Sequence, residues 1–152
     1  MRILVTGATG YIGGRLVPRL LDRGHDVRCI VRDANRLAGR TWVHDVDVVE
    51  GDLDDEVAVA AAVDGMDAAC YLVHSMTDHR SFRARDRSLA ERFGAAASGA
   101  GVRRIAYLGG LGDPARVHST HLVSRHEVGA VLGAAGVPVV ELRAAVIVGS
   151  GS

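Results

Sequence analysis

The stretch VTGATGYIGG, Val5 to Gly14, constrains this chain more than any other. It follows the apolar run Ile3-Leu4-Val5 and opens a helical pattern through Leu16 to Leu21, so its glycines sit between a strand and a helix. Gly7 permits a tight turn, Gly10 lets backbone approach a pyrophosphate, and Gly13 allows close packing at the helix start. Thr9, Tyr11 and Ile12 complete the loop, whose amides and helix dipole then face an anion. The alternative, an ordinary tight turn, leaves the spacing of the three glycines without a purpose.

Apolar runs and helical patterns alternate along the rest of the chain. Strands are expected at Val27–Val31, Val46–Val49, Ala68–Val73, Arg104–Leu108, Val139–Leu142 and Val146–Val148. Helices are expected at Val57–Val63, around Ser88–Ala97 and around Leu122–Leu132. This alternation implies right-handed crossovers and a parallel sheet covered on both faces. The fold class expected is α/β, a doubly wound, three-layer sheet of the Rossmann type. Asp52-Leu53-Asp54-Asp55-Glu56 offers capping carboxylates to the second helix, and Gly65 stands beyond its end. Pro18, inside the first helix, predicts a local kink rather than a break.

A chain of 152 residues, 48% hydrophobic, makes one domain the expectation. Its 18 basic and 18 acidic residues cancel, which argues against recruitment by nucleic acid or an anionic membrane. No run approaches the ~18 apolar residues of a membrane span and no signal-peptide core follows Met1, so a cytoplasmic protein is expected. All the basic residues are arginines; the chain has no lysine.

Thr6-Gly7-Ala8-Thr9-Gly10-Tyr11-Ile12-Gly13 resembles the TGxxGxxG signature of the short-chain dehydrogenase/reductase family, in its extended and atypical branches. Gly51-Asp52-Leu53, Tyr107-Leu108-Gly109-Gly110-Leu111 and Val137-Pro138-Val139-Val140-Glu141-Leu142-Arg143 carry the likeness along the chain, which is most similar to NmrA-like NAD(P)H-binding members. The resemblance implies strand order 3-2-1-4-5-6. It also implies that residues 1–152 are the cofactor half of a longer protein, without the region that covers the substrate. With that order Cys29 and Cys70 flank the first strand, about 9 to 10 Å apart and beyond disulfide reach.

The expected ligand is a dinucleotide, NADP ahead of NAD. An NAD site places an acid near the end of the second strand, and an NADP site an arginine. Here Arg32 comes first, with Arg36 and Arg15 as further cations; in the competing reading both Arg32 and Arg36 are solvated and Asp33 meets the ribose. Asp52 resembles the family residue that bonds the adenine amino group, with Leu53 beside it, and is equally readable as a helix N-cap. His74 and Ser75 follow the fourth strand where the family's cofactor ribose passes, or form a plain loop.

The family's catalytic tyrosine and lysine fall on His121 and Arg125, and its serine on Gly109 or Gly110. All depart from the pattern. Neutral imidazole can shuttle a proton and arginine can hold ribose hydroxyls, but arginine does not deprotonate; the alternative makes His121 an exposed residue at a helix start. Two functions follow: an oxidoreductase or isomerase acting on an unknown small molecule without the Tyr/Lys pair, or a non-catalytic dinucleotide sensor. His118, His121 and His126 do not share a helix face, so no metal site is expected. Arg80, Arg83, Arg85 and Arg87 crowd a helix start against its dipole, a solvated face or else a contact with a partner subunit, as in a homo-oligomer, or with an anionic ligand.

Overall fold

A computed structural model describes residues 1–74, 82–112 and 119–150. Its strands are β1 (Arg2–Thr6), β2 (Asp26–Val31), β3 (Asp47–Glu50), β4 (Ala68–Tyr71), β5 (Ile105–Gly110) and β6 (Val139–Ala144). Its helices are α1 (Gly13–Leu21), α2 (Glu56–Val63), α3 (Phe82–Gly99) and α4 (Thr120–Ala134). The sheet has six strands in the order β3-β2-β1-β4-β5-β6, and each pair is parallel. This is the expected Rossmann-like order, with its reversal between β1 and β4, where open α/β sheets bind ligands.

Side chains alternate across the strands and feed two cores. On one face Leu4, Ile30, Tyr71, Ile105 and Tyr107 pack with residues of α2, α3 and α4. On the other, Ile3, Val5, Cys29 and Val31 pack against Val17 of α1 with Leu37 and Trp42. Trp42 is thus a core residue, 6% exposed. Coverage of that second face is incomplete among the described residues. Val140 and Leu142 of β6 are 45% and 59% exposed, because α1 reaches only the β1 and β2 side.

Val5 pairs with Cys29 on one side and Cys70 on the other, and both thiols are free. Burial pushes their pKa values up to about 12 and about 11, so both stay protonated at neutral pH.

Local chemistry sets the helix ends. Asp55, not Asp52, caps α2, accepting from the amides of Val57 and Ala58 at 2.9 and 3.2 Å; Gly65, with φ of 66°, follows α2. Pro18 leaves α1 unbroken to Leu21. α3 runs from Phe82, ahead of Ser88 and among the arginines that the sequence puts at a helix start, and its unfavourable cations are paired within the chain. Arg83 meets Glu127 at 3.0 Å, Arg85 meets Asp52 and Asp54 at 3.3 and 3.0 Å, and Arg87 meets Glu91 at 2.9 Å. Arg80, Ser75 and His118 lie outside the described residues.

The strand expected at Val146–Val148 does not form. The β5–β6 register ends at Gly110 and Ala144, and beyond it Val146 and Val148 are 86% and 81% exposed. Among the described residues no helix is long and apolar enough to cross a membrane.

Candidate functional site

The glycine loop is built by three different constraints. Gly7 has φ of 72°, and a Cβ there would stand 3.2 Å from the Leu72 carbonyl oxygen at the end of β4. Gly13 cannot carry a side chain because its Cβ would collide with Gly7 O and come within 2.8 Å of Ala8 Cα. Gly10 is different: it is exposed, and a Cβ there would meet only Gly7 O at 3.3 Å. Thr6 ties the two strand ends beneath the loop, its Oγ1 donating to Cys70 O at 3.3 Å and accepting from the Leu72 amide at 3.0 Å. The N-cap of α1 is Ile12, which supplies no side-chain acceptor. The Gly14 and Arg15 amides bond to Gly10 O and Ile12 O, while among the described residues those of Tyr11, Ile12 and Gly13 donate to no backbone carbonyl and face an anion's approach.

A cavity of about 480 Å³ opens beside this loop, at the C-terminal ends of β1, β2 and β4. It brings together the expected residues Gly7, Thr9, Gly10, Arg32, Arg36, Asp52, Leu53 and His74. Tyr11, Ile12 and Gly13 do not line it. They form the turn into α1 behind it. Arg15 is turned away, its guanidinium 3.8 Å over the Tyr11 ring and donating to the Ser150 carbonyl.

The two competing readings at the end of β2 separate geometrically. Asp33 accepts from the Asn35 amide at 2.9 Å, capping the short turn Ala34–Leu37, and is not a wall of the cavity. Arg32 and Arg36 are exposed walls of it. Asp52 accepts from the Leu53 amide at 2.7 Å with one oxygen and meets Arg85 at 3.3 Å with the other.

His74 closes the far wall. Its Nε2 lies 2.9 Å from Leu108 O, a pure acceptor, so Nε2 donates and the neutral ring leaves Nδ1 as the acceptor. Nδ1 is buried and has no partner among the described residues. Burial, then the Arg125 charge, holds the His74 pKa below the usual imidazole value, while the Leu108 bond and Asp86 pull it up. A depressed folded value means that the unfolded chain takes the proton first. The stability His74 contributes is complete above ~6.5 and is lost as pH falls through the folded value. Thermal denaturation followed from pH 7 down to pH 5 should show less loss for His74→Gln than for the parent; parallel curves would show that His74 does not stay neutral.

His121 and Arg125, by contrast, are not walls of the cavity. His121 is exposed in the first turn of α4, its ring stacked on Phe82 at 4.8 Å. Arg125 is half-buried; its Cδ would lie 3.2 Å from a Cβ on Gly110, and its carbonyl accepts from the Tyr107 hydroxyl at 2.8 Å. Tyr107 is fully buried, and burial followed by the Glu141 charge raises its pKa, so it serves as an anchor for α4. At both glycines that fall on the family's serine, an added side chain would have to move the end of a neighbouring side chain. A Cβ on Gly109 would collide with the Glu141 carboxylate, and one on Gly110 would stand 2.5 Å from Leu122 Cδ2.

The sequence reading missed the walls that come from distant segments. Ile30, Val31, Leu72 and Leu89 supply apolar surface, and Arg85 adds a guanidinium already paired with Asp52. Only the arginine run hinted at Arg85; its pairing with a carboxylate 33 positions away has no local signal.

A family model described as NAD(P)H-binding matches residues 7–142. A 3β-hydroxysteroid dehydrogenase/Δ5→4-isomerase of Mycobacterium tuberculosis is 37% identical over 120 residues, covering 70% of this chain and 30% of that protein. Among solved structures, the Citrobacter sp. triphenylmethane reductase complexed with NADP(H) is 22% identical, covers 94% of this chain and 49% of that one, and gives a TM-score of 0.78. The Escherichia coli NADPH-dependent quinone oxidoreductase complexed with NADPH is 24% identical, covers 93% and 48%, and gives 0.77. These structural likenesses show the fold. The chain spans about a third of the length of the curated relatives it matches.

Proposed function

This chain belongs to the NAD(P)H-binding family, and from that premise we propose that it is the cofactor-binding half of an oxidoreductase that prefers NADP and acts on a small organic molecule. The observation that carries the reading is that the glycine loop, Arg32 and Arg36, Asp52 and His74 line one cavity. The fit is chemical as well as steric. Gly10 leaves the loop open where a pyrophosphate would meet the α1 amides, the two arginines offer forked donors to a ribose phosphate, and Asp52 offers carboxylate oxygens to an adenine amino group. When bound, the dinucleotide supplies a centre for hydride exchange. His74 shapes the wall nearby as a neutral ring, with Nε2 fixed on Leu108 O. Relatives named as a hydroxysteroid dehydrogenase, a triphenylmethane reductase and a quinone oxidoreductase support a redox reaction. Calorimetric titration with NADPH and NADH tests the reading, followed by a search for turnover over a panel of carbonyl compounds. Binding of neither nucleotide would overturn it.

A second reading, a dinucleotide sensor that carries out no reaction, draws on the surroundings of His121. This imidazole stacks on Phe82 outside the cavity, and Gly109 and Gly110 stand where the family's serine would fall. His121→Ala is expected to leave NADPH affinity within about twofold, whereas Arg125→Ala, which removes a charge felt at His74, should weaken it severalfold. Unchanged binding by Arg125→Ala would remove Arg125 from the site. A folded His121→Ala that binds cofactor but no longer turns over an active substrate would rule out the sensor.

A further inference from the structure

Arg40 has no part in the function proposed above, yet it is laid against the back of the glycine loop. The segment 38–45 crosses the start of α1, pinned on either side of Arg40 by Leu37 and Trp42, both buried with Val17 of that helix. Between these anchors the guanidinium rests on the first turn of α1. A Cβ on Gly14 would sit 3.0 Å from its Cζ, Nη1 and Nη2. Nη2 donates to the Thr9 carbonyl at 3.3 Å.

That carbonyl is the one an α-helix would offer to the Gly13 amide. Helical bonding instead begins one residue later, with the Gly14 amide on Gly10 O at 2.9 Å. Among the described residues the amides of Tyr11, Ile12 and Gly13 donate to no backbone carbonyl. Arg40 thus occupies an acceptor that would otherwise compete for the loop's donors. Its own charge does not face the ligand space: Arg32 and Arg36 line the cavity, and Arg40 does not. The same contact bears on the fourth glycine of the run, since a Cβ on Gly14 makes the guanidinium give way by a few tenths of an ångström.

We propose that Arg40 is a positioning residue for the cofactor, a brace that holds the Thr9 carbonyl back so that the loop amides remain turned toward a pyrophosphate. The inference rests on the cavity being the dinucleotide site. A brace acts on the part common to both cofactors, so its loss is indifferent to the 2′-phosphate. The contact between Arg40 and Gly14 also makes the two positions interdependent.

The experiment is a double-mutant cycle on the full chain with R40A, G14A and the double variant, titrated with NADPH and with NADH. R40A and G14A are each expected to weaken both nucleotides alike by about tenfold, the scale of one lost charge-assisted contact and the preorganisation it provides. The double variant should be no weaker than R40A, because the added methyl has nothing left to displace. Trp42, the one tryptophan of the chain, lies two positions on and reports whether segment 38–45 stays docked; its emission should be unchanged in R40A. If R40A does not fold, G14A, which keeps the arginine, carries the test. Unchanged affinities, losses that add, loss for NADPH alone, or a red-shifted Trp42 accompanying weaker binding would each overturn the brace. A parent chain that bound neither nucleotide would overturn the proposed function itself, and with it the role given to Arg40.

Discussion

Gly10→Val is expected to fold as the parent does and to lose dinucleotide binding, by at least about a hundredfold or roughly 2.7 kcal/mol. The two halves of that expectation come from different features of the loop. Gly10 is not among the glycines with positive φ, and a Cβ there meets one neighbour, Gly7 O, at 3.3 Å. Its φ is not left-handed, the Gly7 carbonyl has to give by a few tenths of an ångström to admit a Cβ, and the added bulk falls at the cavity that Gly10 lines. That space is where a pyrophosphate would approach the α1 amides, and a branched side chain there removes the approach without replacing any donor. Gly13 would be a poor choice for the same experiment, since its Cβ collides with backbone and lost binding would report lost structure. The check is calorimetry with NADPH alongside thermal denaturation. A variant with the parent's melting temperature and the parent's affinity would show that the cavity beside Gly10 is not the phosphate site.

How far the sequence reveals this site depends on whether each constraint is local. The roles of Gly7 and Gly13 were legible because a positive φ and a close approach within a few residues leave glycine as the only choice. The sheet order followed from the alternation of runs, since parallel strands need crossovers and crossovers have one hand. Arg32 and Arg36 were legible as cations after a strand, whereas the cap that Asp33 makes on Asn35 appears only once the turn after β2 is folded. The pairing that offsets the arginines at the start of α3 was not legible. Those arginines are neutralised by Glu127, Asp52 and Asp54, and pairings at that separation leave no pattern in a window of the chain. Val146–Val148 misled for the opposite reason. The run has strand composition, but a strand exists only where a neighbour's amides and carbonyls remain unpaired, and β5 has already ended. Arg40 escaped notice because what distinguishes it is the helix turn it lies on, not its neighbours in sequence.

Arg32→Ala should weaken NADPH by about ten- to a hundredfold while leaving NADH within about twofold, because a charge-assisted bond to a phosphate contributes on the order of 1.5 to 3 kcal/mol. Arg32 directly follows β2 and is an exposed wall of the cavity, which is where the added phosphate of NADP would separate it from NAD. Asp33, the acceptor an NAD site would use, is engaged in its own cap. Arg36 lines the same wall, so the two guanidinium groups are expected to share one dianion. Removing both should then cost more than the sum of the single losses, since in each single variant the survivor can lean further toward the phosphate. Exposure adds a second signature: the NADPH preference should shrink as salt rises from about 50 to 500 mM, because screening acts on charges in solvent contact. The NADH affinity, lacking the phosphate, should move much less. Equal losses of NADPH and NADH in Arg32→Ala would mean that this guanidinium does not read the phosphate. Asp33→Ala would then become the informative variant, because an NAD site needs that carboxylate released from Asn35 and turned to the ribose.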